Sequence, residues 1–150
     1  MMTDKIKTRG IFTLTFRDRH GRITRQYRMR NLIVDSGLAI LASALTLDYI
    51  AVGSGTTAPA GSDTKLENET ARKAVASSQS SGNKKYVSVY FGLNEANGTI
   101  NEVGAFSGGS TAPNSGTLFS RISTESSELP VTKTNQESLT IDYEVEIVSV

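Results

Sequence analysis

Leu139-Thr140-Ile141-Asp142-Tyr143-Glu144-Val145-Glu146-Ile147 alternates apolar and polar side chains without a break. Successive residues of a strand point to opposite faces of a sheet. Leu139, Ile141, Tyr143, Val145 and Ile147 therefore form an inward row, and Thr140, Asp142, Glu144 and Glu146 an outward one. Lys85–Phe91 repeats the period, with Val87, Val89 and Phe91 opposite Tyr86, Ser88 and Tyr90. So does Ile11–Arg17, where Phe12, Leu14 and Phe16 oppose Thr13, Thr15 and Arg17, the pattern of a half-buried strand.

Outward from these three segments the chain reads as short strands separated by turns. Asp18-Arg19-His20-Gly21 is a tight turn, with Gly21 suited to a positive φ. Arg22–Val34 continues as a second extended run, with Ile23, Tyr27 and Met29 on the face of Arg25, so the two runs pair as a hairpin. Leu38, Leu41, Ala42 and Leu45 follow Asp35-Ser36 at helical spacing, which predicts one short helix over 36–46 packed on the sheet. Tyr49–Gly53, Ala71–Ser78, Thr99–Phe106 and Gly116–Thr124 read as strands. Ser62–Leu66 reads as a helical turn, Ser77–Asn83 as a polar turn and Leu129–Gln136 as a link. The segments 53–62 and 107–115, rich in Gly, Ser and Thr, read as loops that are flexible by composition and order on assembly. The expected fold is mainly all-β: a β-sandwich of about eight short strands with one helix, in a single domain over 1–150. Within it, 1–34 is a basic N-terminal hairpin and 35–150 the remainder. Phe106 and Tyr143 are expected in the core.

Composition removes several kinds of chemistry. Without cysteine, neither a disulfide nor a thiolate metal site can form. With His20 alone, no histidine pair can ligate a metal, and His20 reads as a solvated turn residue. Gly53-Ser54-Gly55-Thr56 lacks the Gly-Lys-Ser/Thr ending of a phosphate loop and reads as a turn. Asp142, Glu144 and Glu146 share a face, but alternate strand residues stand about 7 Å apart, too far for one cation to be held by these three alone. They read as a solvated face that blocks edge pairing. The sequence therefore predicts no catalytic residue, no cofactor and no metal, and a protein that is not an enzyme. Met1–Arg9 is polar and charged, and the longest apolar run, Leu38–Leu45, is far shorter than the ~20 residues of a membrane span. Synthesis in the cytoplasm and no membrane partner are the corresponding expectations.

The net charge of +1 conceals an asymmetry. Residues 1–30 hold 9 Lys and Arg against 2 Asp, a net +7, and residues 31–150 hold 7 against 13, a net −6. Arg17, Arg19, Arg22, Arg25, Arg28 and Arg30 make the hairpin the candidate docking surface for an acidic protein partner. A plain solvated face explains the same charges. Nucleic acid is the least favoured partner, since no nucleic-acid motif surrounds the arginines.

A series of motifs runs in order along the chain. Gly10-Ile-Phe-Thr-Leu-Thr-Phe-Arg-Asp18 and Asn31-Leu-Ile-Val-Asp-Ser-Gly-Leu38 open the pattern. Tyr49-Ile-Ala-Val-Gly-Ser-Gly-Thr-Thr-Ala-Pro-Ala60, Asp63-Thr-Lys-Leu-Glu-Asn-Glu69 and Arg72-Lys73 continue it. Gly98-Thr-Ile-Asn-Glu-Val-Gly-Ala-Phe106, Gly116-Thr-Leu-Phe-Ser-Arg121 and Val131-Thr-Lys-Thr134 complete it. In this order the motifs resemble a family of small tailed-phage structural proteins, and the part from Ile50 to Phe106 is similar to the N-terminal attachment domain of phage tail-collar fibre proteins. The resemblance implies a virion structural protein of the tail, baseplate or fibre attachment, working by protein–protein assembly with other virion proteins and as a homo-oligomer, with a trimer the expected number. Capsid decoration is the alternative, and a receptor- or carbohydrate-binding module a weaker one. With no shaft or repeat before Val150, the expectation is an adaptor, a tail or baseplate subunit, or a decoration protein. Within the motifs, Gly53 and Gly55 serve a turn, Asp63 starts a helical turn, and Gly104 lies where Phe106 or Phe91 covers bare backbone. Glu102 reads equally as a buried hydrogen-bonding residue or an exposed one.

Overall fold

The segment Leu139–Ser149 is the longest strand of the molecule, β12, in a computed structural model that describes residues 4–125 and 128–149. Twelve strands and one helix make up the described chain, which is mostly strand, as the sequence predicts. In chain order they are β1 (Asp4–Thr8), β2 (Gly10–Arg17), β3 (Ile23–Asn31), α1 (Asp35–Ala44), β4 (Tyr49–Gly53), β5 (Glu69–Ala74) and β6 (Ser77–Ser81). After them come β7 (Lys84–Phe91), β8 (Gly98–Ile100), β9 (Glu102–Ser107), β10 (Thr117–Ile122), β11 (Val131–Lys133) and β12. One four-stranded sheet runs β1-β12-β7-β6 and another β10-β9-β4-β5, while β8 with β11 and β2 with β3 form two-stranded ribbons.

The chain divides into two compact units. The first comprises residues 1–44, 80–85 and 144–150, and the second 45–79 and 86–143. In the first unit, β1 lies parallel to the end of β12, with Ile6 beside Ile147 and Lys5 beside Glu146. The sequence gives little sign of β1, because only Ile6 is apolar among Asp4, Lys5, Lys7 and Thr8. Helix α1 begins one residue earlier than expected and ends two earlier. It turns Leu38 and Ala42 onto Ile147, Ile6 and Ile33. Leu41 is exposed and Leu45 half-buried, so the apolar stripe is narrower than its spacing suggests.

In the second unit, β4 is the centre of its sheet, flanked by β5 and β9 in antiparallel register. Ile50, Ala51 and Val52 are buried in consecutive positions, as expected of a strand covered on both faces. Ala51, Leu66 and Phe106 form a cluster against which Tyr49 and Leu118 pack. Val87, Val89 and Phe91 are buried while Tyr86 and Tyr90 are exposed, as the alternation predicts.

Several expectations are corrected. Residues 77–81 are a strand, not a turn: every side chain is exposed and polar, so the alternation carries no signal. The link over 129–136 contains β11, paired with β8. No helical turn forms over 62–66. β1 flanks β12 only over Val145–Ser149, so of the three outward carboxylates only Glu146 lies where that side of β12 is paired. Gly104 is covered by Leu66 and Leu118 rather than by an aromatic ring. Tyr143 is half-buried, set edge-on to Phe119 with centroids 6.4 Å apart.

Phe106 is fully buried. Phe106→Ala is expected to cost about 3–5 kcal/mol. Ile40→Ala, on the exposed side of α1, is expected to stay within about 0.5 kcal/mol apart from a small helix-propensity gain. Urea midpoints of the two variants check this ordering.

Candidate functional site: an uncovered hairpin and three buried clasps

The hairpin β2–β3 is the feature that the basic sequence singles out. Its register places Phe12 opposite Met29, Leu14 opposite Tyr27 and Phe16 opposite Arg25. Opposed residues of an antiparallel pair share a face. One face is therefore a row of apolar side chains. The other carries Ile11 with Arg30, Thr13 with Arg28, and Thr15 with Gln26. A register shift between Phe16 and Arg17 pairs Arg17 with Ile23 and leaves Thr24 as the extra residue. This bulge puts Ile23 on the face of Arg17, not on that of Arg25 as simple alternation implies.

The half-buried strand expected from Ile11–Arg17 is not found, because no third strand or sheet covers the apolar row. The pair hydrogen-bonds to no other described strand, and every residue from Ile11 to Asn31 within it is exposed, Phe12 at 63% and Met29 at 49%. Local contacts hold the row in place. Phe16 and Tyr27 meet edge-on at 6.2 Å, and the Arg25 guanidinium lies 4.0 Å over the Phe16 ring. Such contacts contribute about 0.5–1 kcal/mol each at exposed sites.

The six arginines do not form one patch. Arg25 belongs to the aromatic face, while Arg17, Arg28 and Arg30 lie on the other. Arg19 and Arg22 sit at the tip, where Arg22 approaches Asp18 at 3.5 Å. Asp18 shapes the tip by accepting from the backbone N–H of His20 (2.8 Å) and of Arg22 (3.1 Å), and Gly21 takes φ +82°. His20 is an exposed turn residue, as read from the sequence.

The motif residues of the second unit meet in three clasps. Glu102, at the start of β9, is fully buried, which decides the question its sequence left open. Its carboxylate accepts from the N–H of Gly55 (2.6 Å), Glu67 (2.8 Å) and Asn68 (2.9 Å), and from Arg121 Nε (3.0 Å). Arg121 spends its other nitrogens on Asp63 Oδ2 (3.1 Å) and on the Thr57 carbonyl (2.8 Å). Glu67 accepts from the Thr56 N–H and from the Thr57 N–H and hydroxyl. Asp63, expected to start a helical turn, instead accepts from the Ala60 N–H and pairs with Arg121. Gly53 and Gly55 are needed for close approach: a Cβ on either would overlap Glu102, with Asn68 also in the way at Gly53 and Glu67 at Gly55.

The second clasp closes 107–116. Arg72 on β5 pairs with Glu69 through two parallel bonds (2.8 and 2.9 Å), both side chains nearly fully buried. It also donates to the carbonyls of Ser110 and Ser115 and to the Ser115 hydroxyl, each at 3.0 Å. Its guanidinium lies 4.7 Å over Phe106 and 5.3 Å over Tyr49. Asp48 adds a 2.6 Å bond from the Gly108 N–H. In the third, the buried Lys133 ammonium donates to Asn97 Oδ1 (2.7 Å) and to the Leu93 and Thr134 carbonyls, holding the 92–98 turn. Glu95 binds the same turn through the Gly92 N–H and pairs with Lys73 at 2.5 Å.

These bonds correct the expectation of loops flexible until assembly: the isolated chain already ties both down. Sequence reading placed Arg72, Arg121 and Lys133 in motifs without assigning them work. For Arg121 and Lys133 the available signal was a lone charge beside apolar strand positions, which in a core calls for a partner. Among the described residues no group of three or more His, Asp or Glu could hold a metal ion, and no helix is long and apolar enough to cross a membrane. No protein-family model, no curated protein and no solved structure matches the chain.

Removing one partner from a buried, hydrogen-bonded ion pair costs about 3–5 kcal/mol, because the other charge stays buried. Glu102→Ala and Arg121→Ala are expected to fall in that range singly. The double variant is expected to cost clearly less than their sum, a coupling that a double-mutant cycle in urea measures. Thr57 and the backbone around it hold the Glu67 carboxyl below its ordinary value, and Lys73 with the Gly92 N–H does the same for Glu95. A depressed folded pKa stabilises at pH above the unfolded value, and that contribution is lost as pH falls through the folded one. Unfolding midpoints followed downward from pH 5 are expected to decline, and Glu67→Gln with Glu95→Gln to flatten the decline.

Proposed function

We propose that this chain is a non-enzymatic assembly protein of a tailed-phage particle, at the tail, baseplate or fibre attachment, whose β2–β3 hairpin is the docking arm. The observation that carries this reading is the uncovered apolar row of Phe12, Leu14, Phe16, Tyr27 and Met29. A two-stranded hairpin is at best marginally stable alone in water. An exposed apolar face of this kind gains most from a partner that covers it. The charged side chains of the second unit support the same reading, since Glu102, Arg121, Glu69, Arg72 and Lys133 are each spent on holding backbone. The ordered phage-like motifs supply the kind of assembly: Asp63, Glu67, Glu69, Arg72 and Glu102 lie in the stretch that resembles tail-collar attachment domains, and Arg121 and Lys133 in the phage-like motifs that follow it.

Arg25→Glu with Arg28→Glu alters both faces of the arm and touches none of the clasps. The doubly substituted protein is expected to lose no more than the about 0.5–1 kcal/mol of the Arg25–Phe16 contact, and to be depleted from purified particles at least tenfold. Incorporation at the normal level would remove the arm from the docking role. Gold labelling of the tagged wild type should fall at the tail tip or collar. Label spread over the head would make it a decoration protein, and particles without label would end the virion reading.

A further inference from the structure

We infer that the arm of one copy docks on the second unit of another copy, a head-to-tail contact in which the same chain supplies arm and acceptor. The inference rests on the docking role proposed above and names its partner. The first unit holds 11 Lys and Arg against 5 Asp and Glu, a net +6, and the second 5 against 10, a net −5. Arm against arm would set two copies of the same arginines face to face, so the charges oppose an isologous contact. Arm against second unit joins opposite charges.

The apolar surface fits the same pairing. Outside the first unit, the exposed large apolar side chains are Tyr86, Tyr90, Leu93, Phe119, Ile122 and Val131. They are the available counterparts for the arm's apolar row. The acidic charge accompanying them includes Asp142, exposed on the outward side of β12, and Glu137, exposed after β11. On the arm, Arg28 and Arg30 face away from the apolar row and Arg19 and Arg22 crown the tip. The arm can therefore offer its rings to these apolar side chains and its arginines to acidic groups of the same unit. A contact between different surfaces of identical chains closes into a ring or extends as a filament, according to the rotation between neighbours.

Light scattering coupled to size exclusion reads the mass of the full-length protein. At low ionic strength, where the screening length is about 30 Å, a mass of two or more chains is expected. At about 1 M salt, where it is about 3 Å, that mass should fall toward one chain. A mixing experiment separates the two geometries. A fluorescent Phe12→Ser, Arg28→Glu, Arg30→Glu variant has no working arm but keeps its second unit. It should be monomeric alone, and should co-elute with unlabelled wild type, whose arms it still accepts, while shortening the wild-type assembly. Its far-ultraviolet spectrum and unfolding midpoint should match wild type, since all three side chains are exposed. A wild-type protein that is monomeric at low salt would overturn the proposal, as would a variant that never co-elutes with wild type. If wild type is monomeric while the arm variant is still lost from particles, the docking role survives and its partner is another virion protein. If both are unaffected, the arm has no docking role.

Discussion

The bond set around the Glu102 carboxylate is the constraint on which the second unit depends. Between Ser54 and Asn68 the only large apolar side chain that is buried is Leu66. Ordering a backbone costs about 1–2 kcal/mol per residue, and one leucine offsets only about 2–3 kcal/mol. Apolar burial cannot fix this segment, so polar bonds must. One carboxylate takes three backbone N–H groups from the two ends of the loop, and its guanidinium partner takes a carbonyl and a second carboxylate from the middle. Every strong donor and acceptor brought inside is matched, which is the condition under which a buried charge is tolerable. The empty side chains of Gly53 and Gly55 follow from the same bonds, because the carboxylate occupies the space a Cβ would need.

The same solution appears wherever a Gly- and Ser-rich segment has to be held. Arg72 fastens 107–116 by presenting its planar fork to Glu69 and its remaining nitrogen to carbonyls, with two rings beneath it. Lys133 fastens 92–98 by collecting carbonyls and an amide oxygen with a point charge. The choice matches the chemistry: a guanidinium serves a bidentate carboxylate and ring stacking, whereas an ammonium serves scattered neutral oxygens. In this respect the motifs of the second unit describe a way of building rigid loops on a sheet.

What could be read from the sequence divides along the same physical line. Val87, Val89, Phe91 and the inward row of β12 were legible because burial on one face imposes period two. The helix was legible from Leu38 and Ala42, although its neighbours Ile40 and Leu41 blurred its width. β6 was not legible, because five exposed polar residues bear no imprint of the sheet that orders them. β1 was not legible either, since its parallel pairing with β12 depends on residues 141 positions away. The clasps lay between these cases. Their residues stood out as motifs, but a motif does not state which charge meets which loop. For the arm, the hairpin itself was legible from Phe12, Leu14 and Phe16. The expectation that this apolar row is half-buried failed because alternation reports an amphipathic strand, not the presence of anything to cover it.

The two kinds of charge in this molecule should therefore respond differently to solvent. The side chains of Glu102, Arg121, Glu69, Arg72 and Lys133 are buried and directly bonded, so dissolved salt reaches them poorly. The hairpin arginines and, in the second unit, Asp142 and Glu137 are exposed, and salt screens the field of such charges beyond one screening length. Raised salt is therefore expected to screen the exposed charges while leaving the buried ion pairs, and the loops they hold, intact. The Thr24 bulge contributes to this separation. By turning Ile23 to the face of Arg17, it leaves Phe12, Leu14 and Tyr27 in the apolar row with Arg25, stacked on Phe16, as the one cation within it. That cation is already partnered by a ring, so covering the row does not strand an unpaired charge, which is the main cost that burying a basic arm would otherwise incur.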